Sequence, residues 1–212
     1  MRPMKNKTGH ILLVFFMLLG IAFLGYYYKV SHEIKPQLPV LGNPGHHVDT
    51  FSFMNQEGKI ITNKDVKGKV YVAEYFFATC KSMCPKMNHN MKLVYDAFKG
   101  QNDVMILSHT VDPKRDSAAA LKAYSEQFGA NPNQWLFLTG DKQKLYDMAR
   151  YSYLINAEAD TTGLSVDKDF IHDNHFMLVD RNGYIRGEYD GLDVESVKKL
   201  IADIKILRDE KE

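Results

Sequence analysis

Two cysteines are the residues of this chain with the most evident chemistry. Cys80 and Cys84 are the only cysteines in the sequence; they follow an apolar run, and a proline comes directly after the second. The proline predicts that Cys84 opens a helix, and a separation of four residues then turns both sulfurs toward one point. Such a pair can exchange electrons as dithiol and disulfide, or bind a soft metal ion. The alternative is a pair of small buried hydrophobic residues.

An uncharged apolar segment near the N-terminus, residues 11–28, predicts a membrane-spanning helix. About 18 apolar residues are just enough to cross the bilayer core, and the tyrosines at the end of the segment fit the aromatic belt of a membrane interface. A cleaved signal peptide is the alternative, but the run is long for one and no small-residue cleavage site follows it. Arg2, Lys5 and Lys7 precede the segment and predict a cytoplasmic N-terminus.

The chain is predicted to consist of one exported domain behind a membrane anchor. We expect a cytoplasmic N-terminus (1–10), a transmembrane anchor (11–28), a tether (29–47) and one globular domain (48–212). The formal net charge of +1 does not suggest nucleic acid as a partner. Because no Arg- and Ser-rich presequence precedes the anchor, we expect the bacterial inner membrane with the domain in the periplasm. Two thiols in an oxidising compartment normally pair unless a metal or a reductant keeps them free.

Strand and helix patterns alternate along the exported part. We predict strands at 50–54, 59–62, 70–77, 104–111, 135–138, 176–180 and 184–189, and helices at 85–98, 117–128, 141–151 and 194–207. The dipeptide Asn182-Gly183 predicts a hairpin turn between the last two strands. A cysteine pair between a buried central strand and the following helix, in this order of elements, is the layout of a thioredoxin-like α/β fold. The helix N-terminus at that point stabilises a thiolate.

Three motifs, in this order and spacing, resemble those of the SCO/SenC family, the copper-binding assembly factors of cytochrome c oxidase. The first is segment 65–85 with both cysteines, and the second is segment 110–117, which is similar to the family pattern Val-Asp-Pro-x-Arg-Asp. The third is segment 171–183, a histidine followed by an apolar strand and an Asn-Gly turn. The resemblance covers about 48–207. Lys81 departs from it, because the family commonly has proline there, and a cation can favour thiolate or repel Cu(I).

The resemblance implies a copper site formed by Cys80, Cys84 and His172. One ion per domain is expected, as Cu(I) or Cu(II), because two thiolates and an imidazole are soft enough for Cu(I) and acceptable to Cu(II). His172 is the position that matches the family histidine, whereas His175 lies three residues further on and is the less favoured ligand. In a strand the two side chains point to opposite faces, so at most one should reach the cysteines.

Asp112 is the candidate for a residue that supports the copper ligands without binding copper itself. The resemblance implies that this aspartate lies close to the metal site. In the same segment, Arg115 and Asp116 are expected to pair, cap the next helix and fix the loop near the cysteines. The alternative is a helix-capping loop without a chemical role.

Two further sets of potential copper ligands have simpler structural explanations. A methionine stripe at helical spacing is more often helix core than a Cu(I) site, and histidines in a loop or on a helix surface are usually solvated. The methionines are Met83, Met87 and Met91, and the histidines are His46, His47 and His89.

The ligand set and the resemblance together predict a copper metallochaperone rather than an enzyme. Its expected partners are the membrane, a copper donor protein and cytochrome c oxidase subunit II, whose dinuclear copper centre would receive the ion; the resemblance alone supplies this target. The alternative is a periplasmic thiol-disulfide oxidoreductase that keeps oxidase or chaperone cysteines reduced. Such a carrier normally uses Cys-x-x-Cys and needs no histidine ligand. The spacing of a thiol peroxidase is absent, and a purely structural module leaves the cysteines and the histidine unexplained.

Overall fold

The chain folds as two units, Met1–Gln37 and Leu38–Glu212. The structure is a computed structural model, and it describes residues 7–33, 37–80, 82–155 and 173–210. The first unit contains helix α1 (Lys7–Glu33), in which the stretch Gly9–Lys29 is long and apolar enough to cross a membrane. A signal sequence near an N-terminus meets the same test, so the helix is a candidate span by length and composition.

The second unit is built on a seven-stranded mixed sheet within the described residues. Its strands are β1 (Ser52–Asn55), β2 (Ile60–Thr62), β3 (Val70–Phe76), β4 (Val104–Thr110), β5 (Trp135–Thr139), β6 (His175–Val179) and β7 (Ile185–Asp190). Its α-helices are α2 (Asn63–Val66), α3 (Met83–Phe98), α4 (Ala118–Glu126), α5 (Lys142–Asp147) and α6 (Val194–Asp209), and a π-helix (Met148–Ser152) follows α5. The strand order is β2-β1-β5-β4-β3-β6-β7.

The three central strands run in parallel. β3 pairs with β4 along its whole length, from Val70 opposite Val104 to Phe76 opposite Thr110, and β4 pairs with β5. Every residue of β3 and β4 is buried, as the continuous apolar runs predict. Because parallel strands end at the same edge of a sheet, the connection that leaves β3 lies beside the connection that leaves β4. The first connection carries Cys80 and leads to Cys84 in the next helix, and the second carries Asp112.

Hydrophobic layers cover both faces of the sheet. Helices α3, α4 and α6 contribute to the core on one face, together with both cysteines. Helix α5 and the π-helix contribute to the core on the other. Met87 and Met91 on α3 are completely buried, which confirms that this stripe is helix core.

Two helices differ from the sequence-based expectation. Segment 141–151 was expected to be one helix, but it splits into α5 and the π-helix, where Tyr153 N–H donates to Met148 O across 2.9 Å. Such a one-residue insertion leaves no periodic signal. The short α2 was not predicted, although its capping box is visible in sequence: the Thr62 N–H donates to Asp65 Oδ2 across 2.8 Å.

The start of the second unit also differs from the expected boundary between tether (29–47) and domain. The unit begins at Leu38, because the chain from this residue onward is hydrogen-bonded to β7. Arg186 Nη2 donates to the Leu38 carbonyl across 2.8 Å, and the Leu41 N–H donates to the Ile185 carbonyl across 2.8 Å. The later part of the predicted tether therefore belongs to the folded unit.

Candidate metal centre

The two cysteines meet at the carboxyl end of the central strand. Cys80 lies in the connection after β3, and Cys84 lies in the first turn of α3, one residue after the helix begins at Met83. Both thiols are free and buried, and both pack into the core beneath α3. The position of the pair agrees with the expectation that Cys84 opens a helix.

The sulfur of Cys80 lies next to the start of α3. It lies 3.5 Å from Ser82 Oγ, and hydrogen bonding with Cys84 and Ser82 favours its thiolate form. Ser82, although it is the N-cap residue, makes no capping bond with its own side chain. Burial raises the pKa of Cys80, but the hydrogen bonds outweigh burial and lower this pKa to about 7. The helix start thus stabilises a thiolate at Cys80.

The pKa of Cys84 is shifted in the opposite direction, above its ordinary value. Burial is the largest cause that raises its pKa, since only 4% of the residue is exposed. Hydrogen bonding with Cys80 raises the pKa further, while hydrogen bonding with the Phe77 backbone lowers it only in part. The pair therefore combines a more acidic thiol at Cys80 with a less acidic thiol at Cys84.

Two adjacent, unlinked sulfurs fit a soft cation such as copper. The described ranges, with their gaps at 34–36, 81 and 156–172, contain no group of three His, Cys, Asp or Glu side chains that could hold a metal ion. The structure therefore shows two candidate ligands, Cys80 and Cys84. The expected third ligand, His172, lies outside the described residues, and so does Lys81.

His175 lies at the start of β6 and faces away from the cysteines. The next residue, Phe176, packs into the core that contains both cysteines, whereas Met177 packs into the core on the opposite face. Because strand side chains alternate, His175 shares the face of Met177. Its Nδ1 lies 3.2 Å from Asp173 Oδ1 and 3.6 Å from Glu188 Oε1. Its ring is thus held by carboxylates rather than by the cysteine loop.

A chain of hydrogen bonds connects Asp112 with the cysteine loop. The Asp112 N–H donates to Thr110 Oγ1 across 2.9 Å, and Thr110 Oγ1 donates to Asp116 Oδ2 across 2.5 Å. The same Asp116 oxygen accepts the Ala78 N–H across 3.1 Å. The carboxylate of Asp112 forms an ion pair with Arg115 across 3.4 Å. Asp112 thus reaches the loop through Thr110 and Asp116.

The expected pairing of Arg115 with Asp116 is wrong in detail. Arg115 pairs with Asp112 instead, and the cap of α4 is Ser117, whose Oγ accepts the Ala120 N–H across 3.3 Å. Asp116 turns inward and is almost completely buried. Burial raises its pKa, against the hydrogen bonds from Thr110 and Ala78. The direct contact of Asp116 with the cysteine loop was not specified by the sequence motif.

The remaining histidines that the sequence offers lie apart from the cysteines. His46 is bound to the chain by Nε2, which lies 2.9 Å from the Ser152 carbonyl. His47 is exposed, with Nδ1 3.2 Å from the Gly45 carbonyl, and His89 is exposed on α3. None of these three belongs to a metal-binding group within the described residues.

A cysteine pair at the start of the helix that follows the central strand of such a sheet defines a thioredoxin-like protein. The family model SCO1/SenC matches residues 41–208. The chain therefore belongs to the SCO1/SenC family. A relative, the SCO1 protein homolog of Bacillus subtilis (strain 168), is 28% identical over 207 residues, which cover 97% of each chain.

Solved structures share the fold. A SCO1/SenC family lipoprotein from Bacillus anthracis is similar at a TM-score of 0.68 and 30% identity, covering 81% of this chain and 100% of that chain. BsSco, described as a member of the Sco family of cytochrome c oxidase assembly proteins with a disulfide switch, gives 0.67 and 28%, covering 83% and 100%. Yeast Sco1 with copper bound gives 0.56 and 25%, covering 77% and 95%. The predicted thioredoxin-like fold is confirmed.

Proposed function

We propose that this chain is a membrane-anchored copper metallochaperone that acts in the assembly of cytochrome c oxidase. Its cargo is one copper ion per domain, delivered to the dinuclear copper centre of subunit II. The observation that carries the proposal is the meeting of two free sulfurs, Cys80 and Cys84, at the start of α3. Membership of a family that includes a copper-bound structure and a cytochrome c oxidase assembly protein supports it.

The two sulfurs differ in their protonation before copper binds. With a pKa of about 7, Cys80 is partly ionised at neutral pH and offers a ready thiolate ligand to an incoming copper ion. Cys84 is a thiol and must release its proton before it binds, so copper uptake is coupled to proton release. His172 is proposed as the third ligand because it holds the family position. Asp112 is proposed to support the ligands through the hydrogen bonds that lead from its N–H to the cysteine loop.

The proposed location is the bacterial inner membrane, with α1 as a single span and the second unit in the periplasm. The apolar stretch of α1 and the basic residues before it support this orientation. A copper donor protein in the same compartment would load the domain. The topology can be tested with spheroplasts, in which protease added from outside should degrade the second unit while a cytoplasmic marker protein stays intact.

Delivery is tested by transfer to the acceptor. The copper-loaded full chain in detergent is mixed with the copper-free, reduced soluble domain of subunit II, and formation of the dinuclear centre is followed by its absorption. We expect copper to move to subunit II with loss of the thiolate-to-copper absorption of the donor. A mixture in which copper stays on the chain while subunit II accepts the same ion from a small-molecule complex would contradict the delivery role.

The second candidate is a thiol-disulfide oxidoreductase, which the unequal proton affinities of Cys80 and Cys84 favour. The Cys80 thiolate would attack a disulfide of the target and release one target thiolate. Cys84, after losing its proton, would attack the mixed disulfide, leaving a Cys80–Cys84 disulfide and a second target thiol. Copper-free, reduced chain mixed with oxidised subunit II tests this. Rapid formation of two target thiols, together with failure of copper transfer, would favour the reductase.

A further inference from the structure

A buried carboxyl group lies in the middle of the central strand, on the face that α3 covers. Glu74 is completely buried, and its strand neighbours Val72 and Phe76 pack into the core that contains both cysteines. Its Oε1 accepts a hydrogen bond from Ser108 Oγ across 2.5 Å, and Ser108 in turn accepts one from Trp135 Nε1 across 2.9 Å. Within the part of the chain that the structure describes, Oε2 has no hydrogen-bond partner.

A second buried oxygen in the same region also has no partner among the described residues. Asn88 lies on α3 one turn after Cys84 and is completely buried. Its Nδ2 donates to Tyr124 Oη across 2.9 Å, while its Oδ1 has no donor. Tyr124 stacks on Phe76 at 5.3 Å between ring centroids, and the pKa of both Tyr124 and Cys84 is raised chiefly by burial and further by the charge of Glu74. Glu74 and Asn88 thus share Tyr124 as a neighbour.

A proton on Glu74 would turn its unsatisfied oxygen from an acceptor into a donor. Two buried acceptors without donors are costly, and an ionised carboxylate that accepts a hydrogen bond from Ser108 is more costly still. Burial raises the pKa of Glu74 to about 8, and the Ser108 hydrogen bond opposes this rise only in part. A neutral carboxyl group has an O–H donor, which is what Asn88 Oδ1 lacks.

We propose that Glu74 is an un-ionised carboxylic acid at neutral pH that donates its Oε2–H to Asn88 Oδ1. This hydrogen bond joins β3 to the helix that carries Cys84. Because the carboxyl group is neutral, it places no negative charge near the two sulfurs. Glu74 acts through Asn88 and is therefore a positioning residue. The titratable groups that interact with it are Cys84 from α3 and Tyr124 from α4.

Infrared spectroscopy of the reduced, copper-free full chain in detergent tests the proton directly. The wild type should show the carbonyl stretching band of a protonated carboxyl group at pH 7, and Glu74→Gln should lose it. Asp116→Asn is the matched control, because Asp116 is another buried carboxyl group, and this variant should keep the Glu74 band. Asn88→Ser should move the band. If Glu74→Gln loses no such band, the carboxyl group is ionised and the Asn88 amide is reversed, and the proposal fails.

The pH dependence of stability gives an independent test. In the native state Glu74 keeps its proton at pH values at which the unfolded chain has released it. The wild type should therefore lose stability, relative to Glu74→Gln, as the pH rises from the ordinary pKa of a carboxyl group toward about 8. The denaturation midpoints of the two proteins should therefore agree near pH 5 and separate by pH 8.5, with the variant more stable. Parallel curves would overturn the proposal. Both readouts use copper-free protein, so their outcome is independent of the copper function.

Discussion

The Ala78 N–H donates to Asp116 Oδ2 across 3.1 Å, and this bond ties the cysteine loop to the end of the neighbouring parallel strand. The same oxygen accepts Thr110 Oγ1, so that Asp116 holds β4 and the loop with one carboxylate oxygen. Cys80 lies two residues after Ala78. The position of the more acidic thiol therefore depends on a residue outside its own loop.

We expect Asp116→Ala to loosen the cysteine loop. Loss of a buried acceptor that serves two donors should lower the free energy of unfolding by about 1–3 kcal/mol. Copper affinity should fall about 10- to 100-fold, as is typical when a residue that orients metal ligands is removed. Asp116→Asn keeps an oxygen acceptor and should lose less. Denaturant unfolding and competitive copper titration measure the two effects, and wild-type copper affinity in Asp116→Ala would refute a positioning role.

Cys80 should react with an alkylating reagent as an activated thiol. Its pKa is lowered to about 7, so the thiolate fraction and the alkylation rate should rise with pH and reach half of their plateau near pH 7. Cys84, whose pKa is raised by burial, should stay unreactive at this pH. Mass spectrometry of the alkylated full chain, with Cys80→Ser as the control, locates the modification. Equal reactivity of both cysteines, with a midpoint near the ordinary thiol value, would contradict the proposed asymmetry.

Oxidation should abolish copper binding. Both cysteines are free and pack into the same core, and a disulfide between them would consume both sulfur ligands. We expect the oxidised chain to bind no copper in the range in which the reduced chain is saturated, and reduction to restore binding. Unchanged affinity after complete oxidation would show that other residues, such as the histidines or methionines, hold the ion.

The two histidines of the third motif should differ in their effect on copper. His172→Ala should weaken Cu(II) more than Cu(I), because imidazole suits the borderline Cu(II) ion while two thiolates can hold Cu(I). His175→Ala should change little, because its ring lies against Asp173 on the face away from the cysteines. Electron paramagnetic resonance of Cu(II) with each variant compares them. If His175→Ala is the variant that loses Cu(II), the ligand assignment is displaced by three residues.

The regular elements and the cysteine pair could be predicted from the sequence because their signals are local. The apolar runs of β3 and β4 and the helical spacing of α3 are patterns within a few turns of chain, and the proline after Cys84 marks the helix start. The family motifs also predicted which segments form the site and in which order they follow along the chain. These signals were sufficient for the fold and for the place of both cysteines in it.

The contacts that position the site could not be predicted, because they join residues far apart in sequence. No local pattern states that Asp116 rather than Arg115 turns inward, or that its oxygen meets Ala78. Glu74 did give a signal, as a lone acid in an apolar run, but its partner Ser108 lies on the next strand. The fixed start of the domain at Leu38 likewise depends on Arg186, far along the chain.

The central claim, a copper site made by two cysteines, is tested most directly by copper titration of the reduced full chain in detergent. The account predicts saturation at one copper per chain, with thiolate-to-copper absorption in the Cu(II) form. Cys80→Ser and Cys84→Ser should each lose tight binding, and the surface control His89→Ala should keep it. Tight one-to-one binding by either cysteine variant, or no thiolate absorption in the wild type, would contradict the account.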